Sequence, residues 1–201
     1  MKKILFAALP IAVVAMFCLN PSEGPLKIGS FIPSPEVKMK DINGTEVSFK
    51  DAMKKNGLLV MFSCNTCPVV KRYQSRTLEV CKYAAKNDIG VILLNSNEAT
   101  RDDGDSYNDM KDYAKAQRYD FNYAVDKNSA MADAFGANRT PEVYIFNKDK
   151  KLVYHGAIDD NSNGPDEVTR KHAVIAIDEI VAGKDVSVKE TKSVGCSIKR
   201  I

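Results

Sequence analysis

One stretch limits what this chain can fold into: Leu58-Leu59-Val60-Met61-Phe62-Ser63-Cys64-Asn65-Thr66-Cys67-Pro68, an apolar run that ends in two cysteines and a proline. Five consecutive apolar residues suit a strand buried on both faces, as strands of parallel or mixed sheets are. Pro68 opens a stretch without glycine that runs to about residue 86, so the cysteines fall where a strand ends and a helix begins. The first backbone N–H groups of a helix lack partners and carry partial positive charge, which favours a thiolate. On this ground Cys64 is the expected nucleophile.

The chain has 201 residues, 44% apolar and 27% charged, enough for one well-packed domain. Residues 1–20 begin with Lys2 and Lys3 and continue without charge to Leu19, before Pro21-Ser22-Glu23-Gly24-Pro25. This reads as a signal peptide, with retention as an N-terminal anchor the alternative. The apolar run is short of the roughly 20 residues of a spanning helix. Cys18 stands where a lipoprotein signal puts its lipidated cysteine, although Phe17 before it is bulky for that role; the other reading is a bystander cysteine. Without Lys2 and Lys3 the net charge of +3 falls to +1, which gives nucleic-acid binding little support. Export to the bacterial periplasm or the outer face of a membrane is the expected localisation, with membrane contact only through residues 1–20. Outside the cytosol, cysteines serve as staples or as redox catalysts, and Cys64, Cys67, Cys81 and Cys196 are too few and too unevenly spaced for a staple-dependent fold.

Residues 21–35 hold four of the eight prolines and read as an extended linker. Residues 36–47 carry alternating apolar residues around Asn43-Gly44, a hairpin signal, and Ser48 with Asp51 resembles a capping box. A buried strand is expected over 90–95, a polar loop over 97–105, an amphipathic helix over 106–119 and a strand over 121–125. A short helix over 129–135, a β-hairpin over 142–156 behind Thr140-Pro141, and a long helix over 166–182 capped by Asp166 complete the order. Alternation of this kind argues for a mixed α/β sheet with helices on both faces. Cys81 lies 14 residues beyond Cys67 on one helix, about 21 Å away at 1.5 Å per residue, too far to bridge. It reads as a small buried hydrophobe.

Strand, Cys64-x-x-Cys67-Pro68 at a helix start, Thr140-Pro141 before a strand, hairpin and terminal helix together resemble the thioredoxin superfamily. Residues 36–183 are similar to its redoxin branch, which includes exported thiol–disulfide proteins of the TlpA and ResA type and peroxiredoxin-like proteins. More narrowly, Cys64-Asn65-Thr66-Cys67-Pro68-Val69-Val70-Lys71 with Val194-Gly195-Cys196-Ser197-Ile198-Lys199 resembles a peroxiredoxin-like subgroup. The resemblance implies a thioredoxin-like domain over 36–185, with an N-terminal hairpin extension and a tail, 186–201, carrying Cys196. It implies an oxidoreductase in which Cys64 attacks a target disulfide and the more buried Cys67 resolves the mixed species, leaving a redox-active Cys64–Cys67 disulfide. It also implies that Pro141 is cis and that the Thr140 backbone pairs with a bound substrate strand. The partners so implied are disulfide-containing or dithiol proteins outside the cytosol and a redox partner. The chemistry needs no cofactor and no metal.

Departures from the family pattern narrow this. Leu58 stands where thioredoxins carry a buried acid, so proton transfer needs another source, and Ser63 replaces their tryptophan. Asn65 and Thr66 are uncharged, which leaves the helix end, with Lys71 and Arg72, to supply positive field. A thiol peroxidase with antioxidant activity is the alternative, but Met61 and Cys64, three residues before the two cysteines, depart from the expected Thr or Ser. Cys196 is either a third redox cysteine or an uninvolved tail thiol. Asp159-Asp160-Asn161-Ser162-Asn163-Gly164 opens like a calcium loop, yet Arg170 occupies the position that needs a bidentate Glu, so a solvated turn is the simpler reading. His155 and His172 keep open a copper- or target-binding module without catalysis, although two residues rather than three separate the cysteines.

Overall fold

A computed structural model describes residues 24–201. The segment read as a signal peptide, residues 1–20 with Cys18, lies outside the described residues. Among the described residues no helix is long and apolar enough to cross a membrane.

The Asn43-Gly44 turn does join a hairpin, β1 (Met39–Lys40) and β2 (Glu46–Val47), paired antiparallel. Ser48 then caps a short helix, α1 (Phe49–Ala52): its hydroxyl accepts from Asp51 N while the Asp51 carboxylate accepts from Ser48 N. The apolar run becomes β3 (Gly57–Ser63), buried throughout, and leads to α2 (Pro68–Lys86) and the second buried strand, β4 (Ile89–Asn95). There follow α3 (Tyr107–Gln117), β5 (Asn122–Val125), α4 (Ala130–Phe135), β6 (Arg139–Thr140), β7 (Glu142–Asn147), β8 (Leu152–Gly156), α5 (His172–Val181) and β9 (Cys196–Ser197).

Five strands make the central sheet in the order β5-β4-β3-β7-β8. β3, β4 and β5 are parallel neighbours, whereas β7 runs antiparallel to both β3 and β8, so the sheet is mixed. Because successive side chains of a strand point to opposite faces, β3 feeds two apolar layers. Leu59 and Met61 pack with Tyr73, Val80, Cys81 and Ala84 of α2, Met110 of α3 and Ala176 of α5. Leu58, Val60 and Phe62 pack with Phe49 of α1 and Met131 and Phe135 of α4. Phe135 is the hub of the second layer, with ring contacts to Phe49, Phe62, Tyr144 and Phe146.

One expectation changes, and two flanking segments find their places. The long helix over 166–182 is instead a 3-10 turn, Pro165–Glu167, followed by α5 from His172, and Asp166 does not cap it. Residues 168–171 leave the helix because the chain is turned by Asp160, whose carboxylate accepts from Thr169 N, while Arg170 O accepts from Asp160 N. The described part of the proline-rich linker lies against the domain: Leu26 N donates to Phe135 O, Gly29 N to Leu152 O, and the Ile32 side chain is buried. The tail is likewise docked, running beside β8 through bonds of His155 with Lys189 and Thr191 before it reaches the end of the sheet near Cys67.

Candidate functional site: a three-cysteine cluster under a docked tail

β3 ends at Ser63, and the polypeptide makes one tight loop, 64–66, before α2 begins. Cys67, not Cys64, is the N-cap residue of α2, with Pro68 in the first helical turn. The unpaired N–H groups and positive end of the helix therefore bear on Cys67. Cys64 lies three residues earlier and fully buried, its Sγ 3.3 Å from Thr140 Oγ1. Burial pushes the Cys64 thiol up, helped by the Asp105 carboxylate and opposed by the Thr140 hydroxyl and the amides of Cys67 and Thr66. Both cysteines are buried, Cys64 with no exposed surface and Cys67 with 3%.

Pro141 is joined to Thr140 by a cis bond and sits beside the cysteines, with Thr140 O 3.5 Å from Cys67 Sγ. The disulfide differs from the expected one: Cys67 is bonded to Cys196, across 129 residues, and Cys64 is free. The reason is tertiary. β9 pairs antiparallel with β6, Thr140 opposite Cys196 and Arg139 opposite Ser197, which sets the Cα atoms of Cys67 and Cys196 6.0 Å apart. Cys64, Cys67, Thr140, Pro141 and Cys196 thus meet at one place. Cys81 is fully buried elsewhere in α2's core face and free, and burial pushes its thiol up.

A buried acid does reach this site, from the end of the polar loop expected over 97–105, where no role was expected of it. Asp105, with no exposed surface, receives five bonds. Oδ1 accepts from Asn65 N and Asn95 Nδ2, both at 2.8 Å. Oδ2 accepts from Thr66 Oγ1 at 2.8 Å, Thr100 Oγ1 at 2.9 Å and Asn97 Nδ2 at 3.1 Å. Asn65 is held further by Tyr123, whose hydroxyl donates to its Oδ1, and by Gly104 O. Both residues between the cysteines are thus clamped to the loop after β4. The signal in the sequence was Asn95-x-Asn97 closing a buried strand, a place where polar side chains have to find partners inside the protein.

A second clamp lies behind the cis bond. The Glu142 carboxylate accepts from Asn138 N and Arg139 N at 2.9 Å and meets His155 Nε2 at 2.7 Å, while the His155 ring stacks on Tyr144. Burial works against the Glu142 charge, but these donors prevail and hold its carboxyl below the usual range. Asp159, first residue of the suspected calcium loop, is taken up by a buried ion pair with Arg76, and Asn161 Oδ1 closes a turn on Asn163 N. Among the described residues no three His, Cys, Asp or Glu side chains are grouped to hold a metal ion. Arg72 donates to Ser162 O on the surface.

A mixed sheet flanked by helices, with cysteine at a helix N-terminus opposite a cis-proline, defines a redoxin of thioredoxin-like fold, an oxidoreductase that works through sulfur. The AhpC/TSA family model matches residues 30–155, and the chain belongs to that family. It is similar to an uncharacterised conserved protein of Geobacillus kaustophilus, at 32% identity and a TM-score of 0.81, over 87% of this chain and 93% of that one. A hypothetical protein of Sinorhizobium meliloti matches at 28% identity and a TM-score of 0.80, covering 88% and 96%. The thioredoxin domain of a thiol–disulfide oxidoreductase of Bacteroides vulgatus shares the fold, at 16% identity and a TM-score of 0.54, covering 65% and 88%. No curated protein sequence matches.

Proposed function

We propose that this protein exchanges disulfides with protein substrates outside the cytosol, to which residues 1–20 direct it. Cys64 and Cys67 form the working pair, and Thr140 and Pro141 receive the substrate strand. One observation carries the reading: Cys67, at the positive end of α2, is joined to a cysteine presented by a strand paired with Thr140. That is the arrangement a mixed disulfide with a target needs.

The Cys67 thiolate, rather than the Cys64 thiolate expected from the sequence, attacks one sulfur of a target disulfide, because Cys67 caps α2 while burial holds the Cys64 proton; the other target sulfur leaves as a thiolate that takes up a proton. Cys64, once deprotonated, displaces the remaining target sulfur, so the target gains two electrons and the Cys64–Cys67 disulfide forms. Cys196 then attacks Cys67 Sγ, frees Cys64 as a thiol and gives the Cys67–Cys196 bond, with no further change in oxidation state. An external dithiol returns both cysteines to thiols. The same steps run in reverse when the partner is the stronger oxidant.

Protein lacking residues 1–20 should catalyse insulin reduction by a dithiol. Cys67→Ser should abolish this, Cys64→Ser should stall it at a trapped mixed disulfide, and Cys81→Ser should leave it intact. Turnover by Cys67→Ser would overturn the reading. A second reading is favoured by the pairing of Cys67 with Cys196 while Cys64 stays free. In a peroxidase, the Cys67 thiolate would take one oxygen from a hydroperoxide, releasing an alcohol, and Cys196 would condense with the sulfenic acid to the same disulfide and water. Consumption of one hydroperoxide per two thiols, unaffected by Cys64→Ser, would favour it.

A further inference from the structure

The docked tail does more than carry Cys196. Across residues 195–200 every turn of the chain is read by the domain. Gly195 lies so close to β6 that a Cβ there would meet Thr140 O at 2.2 Å, with no flexible side chain to yield. Cys196 and Ser197 pair with Thr140 and Arg139. Ile198 N donates to Asn138 O at 3.1 Å, and the Ile198 side chain is buried in the apolar layer that holds Phe135 and Ala137. Lys199 N donates to Asn97 Oδ1 at 3.0 Å and Lys199 O accepts from Ala99 N at 2.9 Å. Arg200 Nε meets Asp133 Oδ1 at 2.8 Å, and its Nη2 donates to Ala137 O at 2.6 Å.

We propose that this tail is a tethered copy of the substrate strand, so that its fit defines the targets the site accepts. They are extended polypeptide segments with glycine directly before the reacting cysteine, a branched aliphatic residue two places after it, and a cation four places after it. This rests on the exchange reading above. Any strand that delivers a sulfur to Cys67 along β6 meets the same Thr140 carbonyl, the same Asn138 and Asn97 acceptors and the same apolar pocket, because all are fixed in the domain and not in the tail. Glycine is demanded by contact with backbone, which cannot move aside. The aliphatic position contributes burial, and the cation, whose side chain is 33% exposed in Arg200, contributes least. Target and tail cannot occupy β6 together, so the tail excludes poorly matched strands until its bond to Cys67 is opened.

The test uses protein of residues 21–201 carrying Cys196→Ser, which keeps the tail but not its sulfur. The probe is an octapeptide with the sequence of residues 193–200, its cysteine joined to thionitrobenzoate, which is coloured on release when Cys67 attacks the peptide sulfur. Stopped-flow release should be at least about tenfold slower when the peptide glycine is valine. It should be about ten- to a hundredfold slower when the isoleucine is serine. Adding Gly195→Val to the protein should speed reaction with the unaltered peptide, because the competing tail loses its seat. Equal rates for all three peptides, with release still dependent on Cys67, would overturn the inference and leave the exchange reading standing. No release from any peptide or from the small symmetric disulfide of thionitrobenzoate would overturn both.

Discussion

Asp105→Asn isolates the clamp on the cysteine loop, because it keeps the shape and removes the charge and one acceptor. An amide nitrogen at the Oδ1 position would face Asn65 N–H, which can only donate, and Asn95 Nδ2, whose amide is held in place because its Oδ1 accepts from Asn97 N and Arg101 Nη1. At the Oδ2 position the Thr66 and Thr100 hydroxyls can rotate and accept, but Asn97 Nδ2 is left against a second NH2 group. Flipping Asn97 to relieve this takes away the acceptor for Lys199 N and so loosens the tail. Bonds to a charged acceptor contribute about 1.5–3 kcal/mol against about 0.5–1.5 for neutral ones. With part of the loss offset by no longer burying a charge, a cost of about 3 kcal/mol follows. For a domain of this size that lowers Tm by roughly 6–12 °C. Thermal melts of oxidised protein measure it, and alkylation rates of Cys67 after reduction report on the loop. A shift under about 2 °C, the scale of an ordinary surface substitution, with Cys67 reactivity unchanged, would refute the clamp.

Reducing the Cys67–Cys196 bond opens a loop of 129 residues, for which chain entropy gives a loss of up to about 5 kcal/mol; urea midpoints with and without reductant should differ accordingly, and Cys196→Ser should abolish the difference. Glu142 is ionised in the fold more readily than in the open chain, so its contribution is present above its ordinary value of 4.5 and is lost as pH falls through the lower folded value. Urea midpoints taken from pH 6 down to about pH 3 should fall more steeply for the wild type than for Glu142→Gln. Cys81→Ser puts a hydroxyl into a fully buried apolar site and should cost about 1–3 kcal/mol, visible as a lower urea midpoint with unchanged turnover.

Local pattern made much of this protein legible. The β3 run, the capping box at Ser48, the helix opened by Pro68 and the hairpin of β7 and β8 follow from burial periodicity and backbone chemistry that neighbouring residues impose on one another. The elements of the cysteine site were legible for the same reason, since strand, Cys64, Cys67 and helix are contiguous. Which cysteine caps the helix was not. Either residue suits a strand-to-helix junction, and a shift of three positions decides which sulfur faces the positive helix end. The helix expected from residue 166 failed because Asp160, several residues earlier, ties down the Thr169 backbone and turns the chain.

By itself the sequence determined the alternation of strands and helices, the two-sided burial of β3 and the chemistry of thiols at a helix start. Only the tertiary structure decided the partner of Cys67, because Cys196 is 129 residues away and reaches it through strand pairing with Thr140, not through any local pattern. The same holds for Asp105, forty residues from Asn65 in the chain and 2.8 Å from its amide in the fold. Hydrogen bonds and disulfides act over a few ångströms, so the separation that matters to them is set by the packing of the whole sheet.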